Sequence, residues 1–149
     1  MDNDLEQLMV LRQQGFYCSQ ILILQGLEMT GKNNPDLVRA MRGLAGGLGF
    51  SGELCGALTG GAALLGFYAG NGQPGQPEDP RLDFMIRDLV TWFKAEYGEP
   101  FGGLRCQEIL AGNSQNKSIR CPQMVIGVFH KVKELLVENG YDLSGLEDG

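Results

Sequence analysis

The chain has 149 residues, with 18 acidic and 12 basic side chains and a formal net charge of −6. That length suits one domain, 1–149, able to bury a core without disulfide support. An acidic surface with no lysine or arginine cluster repels phosphate backbones, which excludes nucleic acid as a partner.

The opening MDNDLEQ has no basic segment ahead of an apolar run, so no secretory signal is expected and a reducing cytoplasm is. A first helix is predicted over Asp2–Leu11, capped by Asp2 or Asn3, with Leu5, Leu8 and Met9 on one face. Gly15 ends it. CSQILILQGLEM, Cys18 to Met29, is apolar almost all round, as in a central helix. A helix opened by Pro35 or Asp36 carries Leu37, Val38, Met41 and Leu44. After a glycine-rich stretch another helix runs to about Tyr68. The uncharged segment Leu54–Gly70 is too short and too diluted by glycine for a membrane span.

NGQPGQPEDP, Asn71 to Pro80, reads as a surface loop ending in an Asp79–Pro80 helix start. The helix it opens places Leu82, Met85, Ile86, Leu89, Trp92 and Phe93 at helical spacing and breaks at Gly98–Gly103. Leu104–Leu110 is a short helix, and GNSQNKS is a connector. The last helix begins at Cys121–Pro122, buries Val125, Val128, Phe129, Val132, Leu135 and Leu136, and stops at Asn139–Gly140. No segment alternates like a strand. The expectation is an all-α compact bundle of about five to six helices with a glycine-rich central helix.

GGLGFSGELCGALTGG, residues 46–61, contains G-x-G-x-x-G at Gly47, Gly49 and Gly52. A dinucleotide loop needs a strand before these glycines, yet LVRAMRGLAG reads as helix, and no lysine follows as a phosphate loop requires. Nucleotide binding is rejected. Gly52, Gly56 and Gly60 are four apart, with Ala57, Gly61 and Leu65 as an adjacent row. Such spacing leaves a groove for a closely packed backbone or a bound inorganic group.

The four cysteines, Cys18, Cys55, Cys106 and Cys121, stand singly, without C-x-x-C or haem-attachment spacing. Buried inert thiols are the default for such residues. Against that, Cys18 opens a helix, Cys55 follows Ser51 as a cap, and Cys121 before Pro122 sits at a capping position. Helix N-termini favour thiolates, and Arg105 and Arg120 push the same way if they turn inward. His130, the single histidine, lies too far along the last helix to serve Cys121, so no cysteine-hydrolase dyad or haem site is expected. Trp92 and the methionines read as core. Lys131, Lys133 and Glu134 read as a solvated face.

CGALTG, Cys55 to Gly60, resembles the CGAxxG signature of the C_GCAxxG_C_C family of redox proteins. Cys18 with SQILIL resembles that family's first cysteine, RCQEILAG (Arg105 to Gly112) the segment around its third, and Cys121 its fourth. The resemblance covers most of the chain from Cys18 onward and departs from the family in the glutamine- and asparagine-rich connector. It implies a small helical redox domain in which the four cysteines act together. Relatives fused to cytochrome modules are associated with an iron–sulfur cluster, and four thiolates suit a [2Fe–2S] site, although the spacing matches neither common ferredoxin pattern.

Three readings follow. In the first, Cys18, Cys55, Cys106 and Cys121 ligate an iron–sulfur cluster and exchange electrons with a redox partner protein. In the second, Cys55 is a nucleophile while Cys106 and Cys121 form a reversible disulfide. In the third, the chain is an interaction module with inert or zinc-binding thiols, its glycine face a helix contact within a homodimer. Whether the chain is itself an oxidoreductase is left open.

Overall fold

The computed structural model describes residues 2–111, 113 and 115–145. Among them are seven α-helices of five residues or more: α1 (Asp2–Gln13), α2 (Cys18–Thr30), α3 (Pro35–Met41), α4 (Gly56–Ala69), α5 (Leu82–Phe93), α6 (Cys106–Leu110) and α7 (Asn116–Glu138). No strand forms among the described residues, so the all-α expectation holds. The count exceeds five to six because the short α3 and α6 stand as separate helices.

α2 and α4 form the centre and pack against each other more extensively than any other helix pair. Their apolar sequences explain this, since neither has a polar face to give to water. The approach depends on glycine. A Cβ on Gly60 would lie 2.9 Å from Leu22 Cδ1 and 3.0 Å from the Cα of Ser19. One residue on, Gly61 faces the other side, where a Cβ would meet Val128 Cγ1 at 2.5 Å and Leu89 Cδ2 at 3.0 Å. α4 is therefore thin on two faces, toward α2 and toward the α5–α7 pair. Gly52 does not extend the row, because it precedes the helix with φ +77°.

The polar residues of α2 are mostly satisfied by the end of α3. Ser19 Oγ donates to the Met41 carbonyl at 2.8 Å and Gln20 Nε2 to the Val38 carbonyl at 3.3 Å. Gln25 is buried, and neither its amide nitrogen nor its oxygen has a hydrogen-bond partner among the described residues.

α5 and α7 complete the core with Met85, Leu89, Phe93, Val128, Val132 and Leu136, as their periodicity predicts. Asp79 secures the start of α5, its Oδ1 accepting from the Arg81 backbone N–H at 2.8 Å. The side chain also accepts from the Arg81 guanidinium and from the Tyr141 hydroxyl. The Arg81 and Tyr141 hydrogen bonds hold the carboxyl far below the usual range, against the opposing effect of burial. The break expected at Gly98 is delayed. The chain continues through a π-helical turn, Lys94–Gly98, and a further turn to Phe101, then reverses at Gly102, φ +85°.

α1 lies at the edge. Leu8 is fully buried, whereas Leu5 and Met9 are 48% and 44% exposed, correcting the three-residue face read from the sequence. α1 is instead tethered by Asp4, which accepts from Lys133 Nζ at 2.9 Å and lies 3.1 Å from His130 Nε2. The side chains of Asp2 and Asn3, expected as caps, fall outside the described residues, as do Gly112 and Ser114 of the connector.

The glycine-rich approach to α4 is a left-handed turn. Five successive residues have positive φ: Gly46 (67°), Gly47 (72°), Leu48 (68°), Gly49 (63°) and Phe50 (64°). Left-handed helical conformation costs an L-residue about 1–2 kcal/mol, so glycine at three of the five positions leaves only Leu48 and Phe50 strained. Backbone bonds from Gly52 to Gly46 and from Glu53 to Gly47 close the turn at 3.1 and 3.0 Å. The Phe50 ring packs edge-on against Tyr17, 5.5 Å between centroids, and the Arg42 guanidinium lies over both rings. This turn delivers Glu53–Cys55 to the start of α4.

Candidate functional site

Cys18 is the first residue of α2, whose opening turn is closed by the Tyr17 backbone N–H donating to Gln20 Oε1 at 3.1 Å. Cys55 is itself the N-cap of α4, which starts at Gly56, four residues later than a Ser51 cap would have it. Cys106 is the first residue of α6. The Cys55 and Cys106 segments run antiparallel as a single bridge. Cys55 N donates to the Leu104 carbonyl at 3.0 Å, and Cys106 N to the Glu53 carbonyl at 2.6 Å. Two cysteines distant in sequence are thereby carried on backbone segments held together by hydrogen bonds.

Cys121 departs from expectation. It lies inside α7, which begins five residues earlier at Asn116 and continues through Pro122. The connector donates this extra helix: Asn116 Nδ2 reaches the Leu110 carbonyl at 2.8 Å and ties the start of α7 to the end of α6. Cys121 reaches the site from a helix flank, so the capping argument does not apply to it.

All four cysteines line one cavity of about 390 Å³, together with Arg12, Phe16, Ile21, Phe50, Leu110 and Val125 among others. All four are thiols. Gly56 is part of the arrangement, since a Cβ there would lie 2.6 Å from Cys18 Sγ. The CGA portion of the motif thus has a local explanation: cysteine caps the helix and glycine gives the neighbouring thiol its space. Cys55 is buried, while Cys18, Cys106 and Cys121 are half-buried.

The electrostatics correct a second expectation. Burial pushes the Cys55 thiol up to about 12, with the neighbouring Cys18 and Cys121 acting in the same direction. The backbone N–H groups of Ala57 and Leu58 donate to its sulfur and oppose the rise, and they are outweighed. A helix start alone does not make this thiol a thiolate. Nor do the two arginines turn inward. Arg105 pairs with Glu53 at 3.1 Å, whereas Arg120 donates to the Ile109 carbonyl and lies 4.4 Å from the centroid of Phe101. The basic residue that does line the cavity is Arg12, from the last turn of α1. No motif marked it in the sequence. His130 is engaged with Asp4, away from the cysteines.

Among the described residues the cavity lining contains no histidine and no carboxylate, leaving four soft thiols as its metal-ligating donors. Such a set suits iron–sulfur clusters or zinc. As they stand, no three histidine, cysteine or carboxylate side chains among the described residues are grouped closely enough to hold a metal ion. The donors fit such a group in kind and number, and binding requires the side chains to draw together.

A family model described as "Putative redox-active protein (C_GCAxxG_C_C)" matches residues 16–135. The chain belongs to this family. The matched span contains Cys18, Cys55, Cys106 and Cys121, and the family description assigns a redox role in general terms. No curated protein and no solved structure matches the chain. No helix among the described residues is long and apolar enough to cross a membrane.

Proposed function

We propose that Cys18, Cys55, Cys106 and Cys121 of this C_GCAxxG_C_C protein form one redox centre that ligates an iron–sulfur cluster and exchanges electrons with a partner protein. The observation that carries the proposal is one cavity lined by all four thiols, with no competing histidine or carboxylate among the described residues. When bound, such a cluster takes up and releases single electrons at a potential set by burial and by hydrogen bonds to its sulfurs. Cys55 supplies both features through its burial and the Ala57 and Leu58 N–H groups aimed at its sulfur. A thiol pushed to about 12 is a poor nucleophile in the free protein, which argues against Cys55 as an attacking group. Coordination would deprotonate it outright.

A second reading draws on one specific contact. Cys18 Sγ sits against Gly56, next to Cys55, which makes Cys18–Cys55 a candidate pair for thiol cycling beside Cys106–Cys121. Two thiols would then lose two protons and two electrons to a disulfide of the partner, which becomes two thiols. Anaerobic reconstitution followed by thiol titration separates the readings. The cluster reading expects all four thiols to become protected together. Protection of none after reconstitution, with two thiols lost as a Cys18–Cys55 disulfide under mild oxidation, would favour the second.

A further inference from the structure

The four helices that carry the cysteines are fastened to one another. α2 and α4 pack closely through Gly60, the Cys55 and Cys106 segments share backbone hydrogen bonds, and Asn116 ties α7 to the end of α6. Two further stretches line the cavity without supplying a thiol. One is the left-handed turn, through Gly46 and Phe50; the other is the end of α1 with the connector behind it, through Arg12, Gly15 and Phe16. These are the walls that can move without displacing a cysteine. The turn is closed by its own backbone bonds, Gly52 to Gly46 and Glu53 to Gly47. α1 has no backbone hydrogen bond to another helix among the described residues.

What holds α1 is slight. Leu8 is its one fully buried side chain among the described residues, Leu11 packs partly, and Leu5, Met9 and Val10 are about half exposed. The remaining attachment is polar: Asp4 accepts from Lys133 Nζ at 2.9 Å and lies 3.1 Å from His130 Nε2, with all three side chains partly exposed. Such contacts are worth little each, and a segment with few buried apolar contacts opens at lower cost than the core. Gly15 gives it a pivot, since φ is +96° there and a Cβ would meet nothing within 4 Å. The matched family span begins just past this pivot, at residue 16, so α1 lies outside it. We infer that α1 is a gate on the cysteine cavity, turning about Gly15 and latched by Asp4 against Lys133 and His130, and that its release admits reactants to the thiols. The gate goes beyond the proposed function and serves either reading of the cysteines.

The test uses the full chain, reduced and metal-free, at neutral pH. Hydrogen exchange reads the opening of α1, and labelling of Cys18 and Cys121, mapped by mass spectrometry, reads access to the cavity. Two thiol reagents are compared, small iodoacetamide and bulky fluorescein maleimide; a change in thiolate fraction affects both, whereas an opened wall favours the bulky one. In the wild type, α1 amides should exchange about tenfold or more faster than those of α4. Asp4→Ala should raise α1 exchange and maleimide labelling by the same factor, about fivefold, with a smaller rise for iodoacetamide and no change in α4 exchange. Lys133→Gln, which removes the latch from the α7 side, should act in the same direction and decides the matter should Asp4→Ala fail to fold. Glu6→Ala, on an exposed position of α1 with no ion pair among the described residues, should leave both readouts near wild type. α1 amides as protected as those of α4, or α1 exchange unchanged by loss of the latch, would overturn the inference. So would maleimide labelling that stays constant while α1 exchange rises, or that rises only as much as iodoacetamide labelling. Iron and sulfide content, measured separately, reports on the cluster and is independent of these outcomes.

Discussion

Gly56→Ala tests whether the motif glycine serves the site or only the packing. A Cβ at this position lies 2.6 Å from Cys18 Sγ and 3.1 Å from the Leu44 carbonyl, against an ordinary contact of 3.4–4 Å. The carbonyl must give by a few tenths of an ångström, and the thiol must rotate away. Overpacking of this kind costs about 1–3 kcal/mol, and alanine returns up to about 1 kcal/mol through helix propensity. The net loss of stability is therefore small, about 0–2 kcal/mol. The effect on the site is larger, because the displaced thiol is one of four. Gly61→Ala is the matched control: its Cβ meets Val128 and Leu89, neither of which lines the cysteine cavity, with contacts of similar severity. Urea unfolding should show comparable losses for the two variants. Iron and sulfide content after reconstitution should fall below half in Gly56→Ala and stay near wild type in Gly61→Ala. Equal loading of both variants, or losses that simply follow stability, would refute the reasoning.

Gln25→Met should raise stability by about 1–3 kcal/mol, read from the urea midpoint, because it removes a buried amide with no partner among the described residues. An unchanged or lowered midpoint contradicts that. In the metal-free chain at neutral pH, iodoacetamide should label Cys18, Cys106 and Cys121 well before Cys55, whose thiol stays protonated until the pH approaches about 12. Peptide mapping showing Cys55 among the first labelled would overturn this. Asp79→Asn keeps an acceptor for the Arg81 N–H but removes the charge from the bonds to the Arg81 guanidinium and the Tyr141 hydroxyl, and should lose about 1 kcal/mol at neutral pH. Since the folded-state pKa of Asp79 is depressed, the stabilisation is present above about pH 4, the unfolded value, and is lost as the pH falls further. The difference between wild type and variant should narrow in acid, and a constant difference would exclude the carboxylate as its source.

Helical periodicity made α2, α4, α5 and most of α7 legible in the sequence, because their buried faces are set by local spacing. The glycine-rich segment was legible as something unusual, yet its left-handed path from Gly46 to Phe50 was not. Composition shows that positive φ is permitted there, whereas the hydrogen bonds that require it come from the folded turn. The start of α7 was misplaced because Pro122 imitates a first-turn proline, while the tie from Asn116 to Leu110 extends the helix in the other direction. Cys55 shows a rule of sequence reading reversed by burial, since the helix start favours thiolate and desolvation disfavours it more strongly. Arg12 carried no signal at all. Its place in the cavity comes from how α1 lies against α2 and α7, a tertiary contact.

The central claim is that four thiols from four helices hold one cluster, and iron and acid-labile sulfide content after anaerobic purification and reconstitution tests it most directly. The expected result is coloured protein with iron and sulfide in equal amounts, and loss of both in each of Cys18→Ser, Cys55→Ser, Cys106→Ser and Cys121→Ser. Colourless, iron-free protein under the same conditions would contradict it.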